Sequence, residues 1–202
     1  MRLLHPLTRP LRRLYDWMLG LADKPGAEKA LAGLSFAESS FFPIPPDPLL
    51  LAMGAGAPRK ALRFAFITTV ASVLGALLGY AIGAFLMDTV GQWLLDIYDP
   101  DGHIWDRVKA WYDENGGFGL LLAAITPIPF KVFTIASGAL DLPLATFVLA
   151  SVVGRGLRFG VEGAILRIWG KPVVAWMDKW FDLLAILFSV LLIGGFVALK
   201  YL

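Results

Sequence analysis

Six charged side chains, Glu38, Asp47, Lys131, Arg155, Arg158 and Glu162, stand in stretches that are otherwise almost wholly apolar. An ionisable group in such a place is costly to desolvate, so it is retained by pairing or by function. Their types limit the chemistry: the carboxylates can carry a proton, and the Lys and Arg groups can hold an anion. Arg155, Arg158 and Glu162 are spaced to share one helical face, where Arg158 and Glu162 read as a self-neutralising pair. Arg155 has no acid at helical spacing and is the stronger candidate for an anion. His5 and His103 are isolated, and there is no cysteine. No metal site, disulfide, thiol nucleophile or cofactor is therefore expected. Ser39, Ser40 and Ser137 have no base beside them in sequence, so no catalytic residue is assigned and no enzyme is expected.

The elements that must position these groups belong to a membrane protein. The chain of 202 residues is 57% hydrophobic and 17% charged, with a net charge of +2 and a mean hydropathy of +0.68. Its charge provides no uniform basic field for nucleic acid. Phe64 to Met87 contains no charged side chain and is long enough to cross a hydrocarbon core of about 30 Å. Leu183 to Leu199 is a second uncharged run, framed by Trp176, Trp180, Lys200 and Tyr201 as interfacial anchors. Leu142 to Val161 reads as a span whose arginines, Arg155 and Arg158, face protein rather than lipid.

Two more apolar stretches are broken. Leu34 to Ala57 contains Pro43, Pro45, Pro46 and Pro48, and Phe118 to Leu140 contains Pro127 and Pro129. Proline removes a backbone donor and clashes with the preceding turn, so neither stretch is a continuous helix. Irregular backbone at membrane depth survives only when buried in protein or lining a cavity. Each stretch is read as a re-entrant hairpin broken at Pro43 and Pro45 or at Pro127 and Pro129.

Residues 1–33, with Arg2, Arg9, Arg12 and Arg13 among leucines, read as an interfacial amphipathic segment. Arg59, Lys60 and Arg63 precede the first span, whereas the acidic segment from Asp88 to Glu114 carries only Arg107 and Lys109 as basic groups. The basic side faces the cytoplasm. The N-terminus is thus expected inside and the acidic segment outside, with helices over Val90 to Ile97 and Ile104 to Tyr112.

The broken stretches repeat at an offset of 84 residues, Pro43-Ile44-Pro45-Pro46-Asp47 matching Pro127-Ile128-Pro129-Phe130-Lys131, and Met53-Gly54-Ala55 matching Ser137-Gly138-Ala139. Ala71-Ser72-Val73-Leu74-Gly75 then matches Ala150-Ser151-Val152-Val153-Gly154. One span separates the copies, so they enter from opposite faces. The expected fold is an all-α polytopic membrane protein: an inverted repeat of two re-entrant hairpins, each followed by a transmembrane helix, over residues 34–169. A C-terminal transmembrane helix lies within residues 170–202. Inverted repeats with broken helices place a binding site between them near the midplane. There Lys131 occupies the position symmetric to Asp47, so the two hairpin tips would bring an acid and a base face to face. A structural ion pair would satisfy the same pattern, and Asp47 before Pro48 could cap the second arm instead.

Phe36-Ala37-Glu38 followed by Pro43, Pro45, Asp47, Leu50 and Gly54 resembles the first hairpin of the DedA family, also called the VTT or SNARE-associated domain. Pro127-Ile128-Pro129-Phe130-Lys131 with Ser137-Gly138 resembles its second hairpin, and the short chain is similar to the YqaA-like branch. The resemblance implies a multi-pass protein of the bacterial inner membrane. It implies translocation of a phosphorylated lipid carrier such as undecaprenyl phosphate, dependent on the proton-motive force. Glu38 and Asp47 correspond to the family's acidic positions, which implies proton coupling. Lys131 corresponds to a basic position, with Arg155 and Arg158 as further phosphate-binding cations. The implied partners are a phospholipid or polyprenyl phosphate, the membrane and protons. A proton- or cation-coupled small-solute transporter shares these features, and a non-transporting membrane scaffold is the alternative from another class.

Overall fold

The computed structural model describes residues 24–91, 103–126 and 128–170, with Trp17, residues 20–22, Asp101 and Pro172 in addition. The basic segment of residues 1–16, residues 92–100, the break residue Pro127 and the expected span Leu183 to Leu199 lie outside the described residues. Among the described residues every regular element is helical: α1 (Ala27–Ser40), α2 (Asp47–Gly56), α3 (Ala61–Leu86), α4 (His103–Ile125), α5 (Phe130–Ala139) and α6 (Leu144–Trp169). A 3-10 turn, Pro58–Lys60, leads into α3, and a π turn, Met87–Gly91, follows it.

Prolines and one glycine set the helix limits. Gly26, with φ at 95°, opens α1 in the left-handed region that glycine enters without steric cost. The helix closes when the Phe41 and Phe42 N–H groups both turn onto the Ala37 carbonyl, at 2.9 and 2.8 Å. Pro43, Pro45 and Pro46 then keep the chain from resuming it, since each also pushes its predecessor out of the helical region. Pro48 falls in the first turn of α2, where a missing N–H is no loss. Pro129 plays the corresponding part before α5. Because α1 starts at Ala27, the helix runs across residue 33, and Leu31 is fully buried.

Two expected limits move. A separate external helix over Ile104 to Tyr112 and a hairpin arm beginning at Phe118 are in fact one helix, α4. Gly116 and Gly117 do not interrupt it, because the Tyr112 ring and the Thr146 methyl pack where their side chains would be. The expected span Leu142 to Val161 continues through Glu162 to Trp169. A charged residue turned inward does not end a helix as it would on a lipid-facing position.

Contacts fix the chain directions. Glu28 meets Arg63, Ser35 donates to the Thr68 carbonyl and Ser39 bonds Ser72, so α1 and α3 run parallel and α2 returns between them. Gly117 lies against Thr146, Gly154 against Leu121 and Ala124, and Arg158 bonds the Thr126 carbonyl, so α4 and α6 are parallel with α5 returning. Between the long helices the order reverses: Gly163 lies on Ala61 and Ala65, Gly156 near Thr69, and Arg155 bonds Ser72. The two hairpin-plus-helix units are therefore antiparallel, as the sequence repeat requires of an inverted pair.

The units also interlock. Gly54 of α2 lies against Leu166 of α6, and Gly138 of α5 lies against the backbone of Tyr80 and Ala84 on α3. Two apolar clusters form, one around Leu31, Leu49, Leu50 and Phe64 with Phe159 and Leu166 of α6 joining it, the other around Leu120, Ala124, Phe130 and Phe147 with Ala76 of α3 joining it. Pro58–Thr89 and Leu144–Trp169 are long and apolar enough to cross a membrane. A helix of 26 residues is about 39 Å long at ~1.5 Å per residue. Their outer faces remain greasy, with Phe66 at 69% exposure and Ile168 at 70%.

Candidate functional site

A cavity of about 510 Å³ opens where the two hairpin breaks approach each other. The first hairpin lines it with Glu38, Pro43, Pro45, Asp47 and Pro48, the second with Ile128, Pro129 and Lys131, and α6 with Arg155 and Arg158. The repeat thus brings to one place the five charged residues singled out for proton coupling and anion binding. Their pairing differs from the symmetric expectation.

Arg155 forms the floor and is 2% exposed. Its Nη2 makes an ion pair with Glu38 and a 3.1 Å hydrogen bond to Ser39 Oγ, while Nε donates to Ser72 Oγ at 2.6 Å. The Ser39 and Ser72 hydroxyls are 2.6 Å apart, and Ser39 Oγ donates to Glu38 at 3.3 Å. With one proton each, Ser72 donates to Ser39 and Ser39 to Glu38, which leaves both oxygens free to accept from the guanidinium. Phe130 and Phe159 lie 4.5 and 4.9 Å from Arg155 Cζ and supply two π faces. A planar cation fits this slot in a way an ammonium would not.

Arg158 is the second bridge from α6 to the first hairpin. Its Nη2 meets Asp47 Oδ1 at 2.5 Å, and Nη1 donates to the Thr126 carbonyl at 2.9 Å, an acceptor freed by the break in the second hairpin. Three expectations are corrected by this arrangement. Arg158 does not pair with Glu162. Asp47 makes no side-chain capping bond on α2. Nor do Asp47 and Lys131 form an ion pair, because the forked guanidinium reaches both hairpins at once and outcompetes the ammonium for the carboxylate.

Lys131 donates instead to the Phe42 carbonyl, at 3.1 Å across the hairpin tips. It makes no ion pair among the described residues. With Glu38 and Asp47 matched to Arg155 and Arg158, the cavity lining keeps one unmatched positive charge at Lys131. Pro43, Pro45 and Pro129 shape its walls, while Pro127 lies outside the described residues.

Ser72, Phe130, Phe159 and the Thr126 carbonyl were not singled out from sequence. Two of them carried a signal there: Ser72 stands in the repeated Ala-Ser-Val motif with Ser151 as its mate, and Phe130 lies in the repeated proline motif before Lys131. Ser39 was noted only as lacking a base, and its work is to hold Arg155.

A family profile described as the VTT domain matches residues 44–166. A Haemophilus influenzae protein described as uncharacterized is 33% identical over 189 residues, covering 93% of this chain and 96% of its own length. A second uncharacterized protein, from Histophilus somni, is 30% identical over 162 residues, with 80% of this chain and 84% of its own covered. One from Methanocaldococcus jannaschii is 27% identical over 133 residues, covering 63% and 76%. No solved structure matches.

Proposed function

This chain belongs to the VTT-domain, or DedA, family, and from that premise we propose that it moves a phosphorylated lipid across the bacterial inner membrane. The observation that carries the reading is Lys131. Its ammonium stands in a cavity whose two acids are already neutralised by arginines, so it is the cation available to an incoming phosphate. Beside it the rim is apolar: Phe41, Phe42, Ile128 and Val132 are all exposed. A ligand with an anionic head and a hydrocarbon tail suits that combination. A polyprenyl phosphate of the undecaprenyl type is the substrate the family resemblance implies. The helical hairpins enter the membrane from opposite faces and meet at the cavity, and the N-terminus is cytoplasmic. Glu38 and Asp47 couple the movement to protons: a proton on either carboxylate releases its arginine, and Arg155 then shares the phosphate with Lys131. No bond is made or broken, and the protein acts as a transporter rather than an enzyme.

The test is translocation of a fluorescent polyprenyl phosphate by purified protein in sealed liposomes, with and without a pH gradient. Gradient-dependent movement that is lost in Lys131→Ala is expected. Uptake of inorganic phosphate without movement of the lipid would favour a small-solute transporter, and no transport of either would leave a scaffold.

A further inference from the structure

Glu162 stands apart from the other carboxylates of the site. It lies one helical turn beyond Arg158 on α6, and its Oε1 is buried with no hydrogen-bond partner among the described residues. The cation spaced to neutralise it is committed elsewhere, with one Arg158 nitrogen on Asp47 and the other on the Thr126 carbonyl. The charged groups acting on Glu162 are Asp47 of α2 and Arg158 of its own helix. Facing this end of α6, the α3 helix presents Ala61 and Ala65 at Gly163. Arg63 of α3 is exposed and bonded to Glu28, and Arg59 and Lys60 of the 3-10 turn are exposed. An ionised carboxylate with an undonated buried oxygen and a second carboxylate as neighbour is strongly disfavoured. A proton removes that charge.

We propose that Glu162 is the proton-carrying carboxylate of this site, and that Arg158 alternates between Asp47 and Glu162 so that the acid without the guanidinium holds the proton. In the arrangement observed Arg158 is on Asp47, so in this proposal Glu162 is the acid that holds the proton. When Arg158 swings along its own helix to Glu162, Glu162 gives up its proton and Asp47 takes one up, so the charge of the site is unchanged. An anion drawn in at Lys131 stands beside Asp47 in the same cavity lining, disfavours the Asp47 charge and so drives the swing. The purpose of the exchange rests on the transport reading above, but its geometry does not.

Infrared spectroscopy of the full-length protein in liposomes reads the C=O band of a protonated carboxyl directly. The band is expected at neutral pH in the wild type and absent in Glu162→Gln. It is also expected to vanish in Asp47→Asn, where Arg158 is free to pair with Glu162, and to return when Arg158→Gln is added. With a fluorescent polyprenyl phosphate as probe, Glu162→Gln is expected to lose the movement that a pH gradient drives. A band that survives Glu162→Gln, or one that persists in Asp47→Asn, overturns the proposal. If Glu162→Gln does not fold, the Asp47→Asn spectra still decide. If the wild type moves no lipid while the band behaves as described, the transport reading fails and the proton exchange stands.

Discussion

At the residue scale, the two arginines of α6 do different work from Lys131. Removing the Arg155 side chain leaves the Glu38 carboxylate buried without its cation, and breaking a buried pair from one side costs about 3 to 5 kcal/mol. Arg155→Ala is therefore expected to lower the melting temperature sharply in detergent. Arg155→Lys should recover only part of the loss, since an ammonium cannot serve Glu38, Ser39 and Ser72 in one plane. Lys131→Ala gives up one bond to a carbonyl and should change stability by no more than about 0.5 kcal/mol, while abolishing anion-dependent transport. The double exchange Asp47→Lys with Lys131→Asp should be unstable as well as inactive, because it sets a cation against Arg158; recovery of stability would refute the observed pairing. The charged residues themselves were legible as ionisable groups in apolar runs. Their partners were not, because Glu38 and Arg155 are separated by 117 positions, and nothing local in either segment encodes the contact.

At the scale of elements, the prolines marked both hairpin breaks, since a missing donor and a fixed φ act locally whatever the rest of the chain does. Helix lengths were less legible. Gly116 and Gly117 are weak helix formers in the middle of α4, and packing of Tyr112 and Thr146 over them overrides that weak propensity. Gly75, Gly79 and Gly83, a stripe of small residues at every fourth position of α3, carry the approach of α3 to α1 and α5. A Cβ at Gly83 would run into the Ile135 carbonyl, so Gly83→Ala is expected to cost about 1 to 3 kcal/mol. Gly33 is exposed on α1 with nothing near its Cα, and Gly33→Ala should instead add about 0.5 to 1 kcal/mol. Chemical denaturation of the two variants side by side checks both signs, and equal effects would argue against the close crossing of α3 and α5.

At the scale of the whole molecule, orientation in the membrane is the open physical quantity. In the proposed orientation the basic clusters before α3 lie inside and the acidic segment outside. A cysteine at the exposed Asp101, in a chain with no other, should react with an impermeant thiol reagent in intact cells. Labelling that needs membrane disruption would reverse the orientation of both hairpins. The sequence by itself determined the helical class, the two long apolar helices, the hairpin breaks and the pairing of the two repeats. Periodicity, proline geometry and internal similarity are properties of neighbouring or regularly spaced residues, and one chain displays them without folding. Only the tertiary structure decided that Arg158 serves Asp47 and not Glu162, that Ser72 and two phenylalanines seat Arg155, and that Lys131 is left without an acid among the described residues. A side chain's choice among partners depends on which groups the folded helices bring within about 3 Å, and on which donor satisfies the most acceptors once water is gone. That competition is settled between segments far apart in sequence, so it is written in the packing and not in the spacing of residues along the chain.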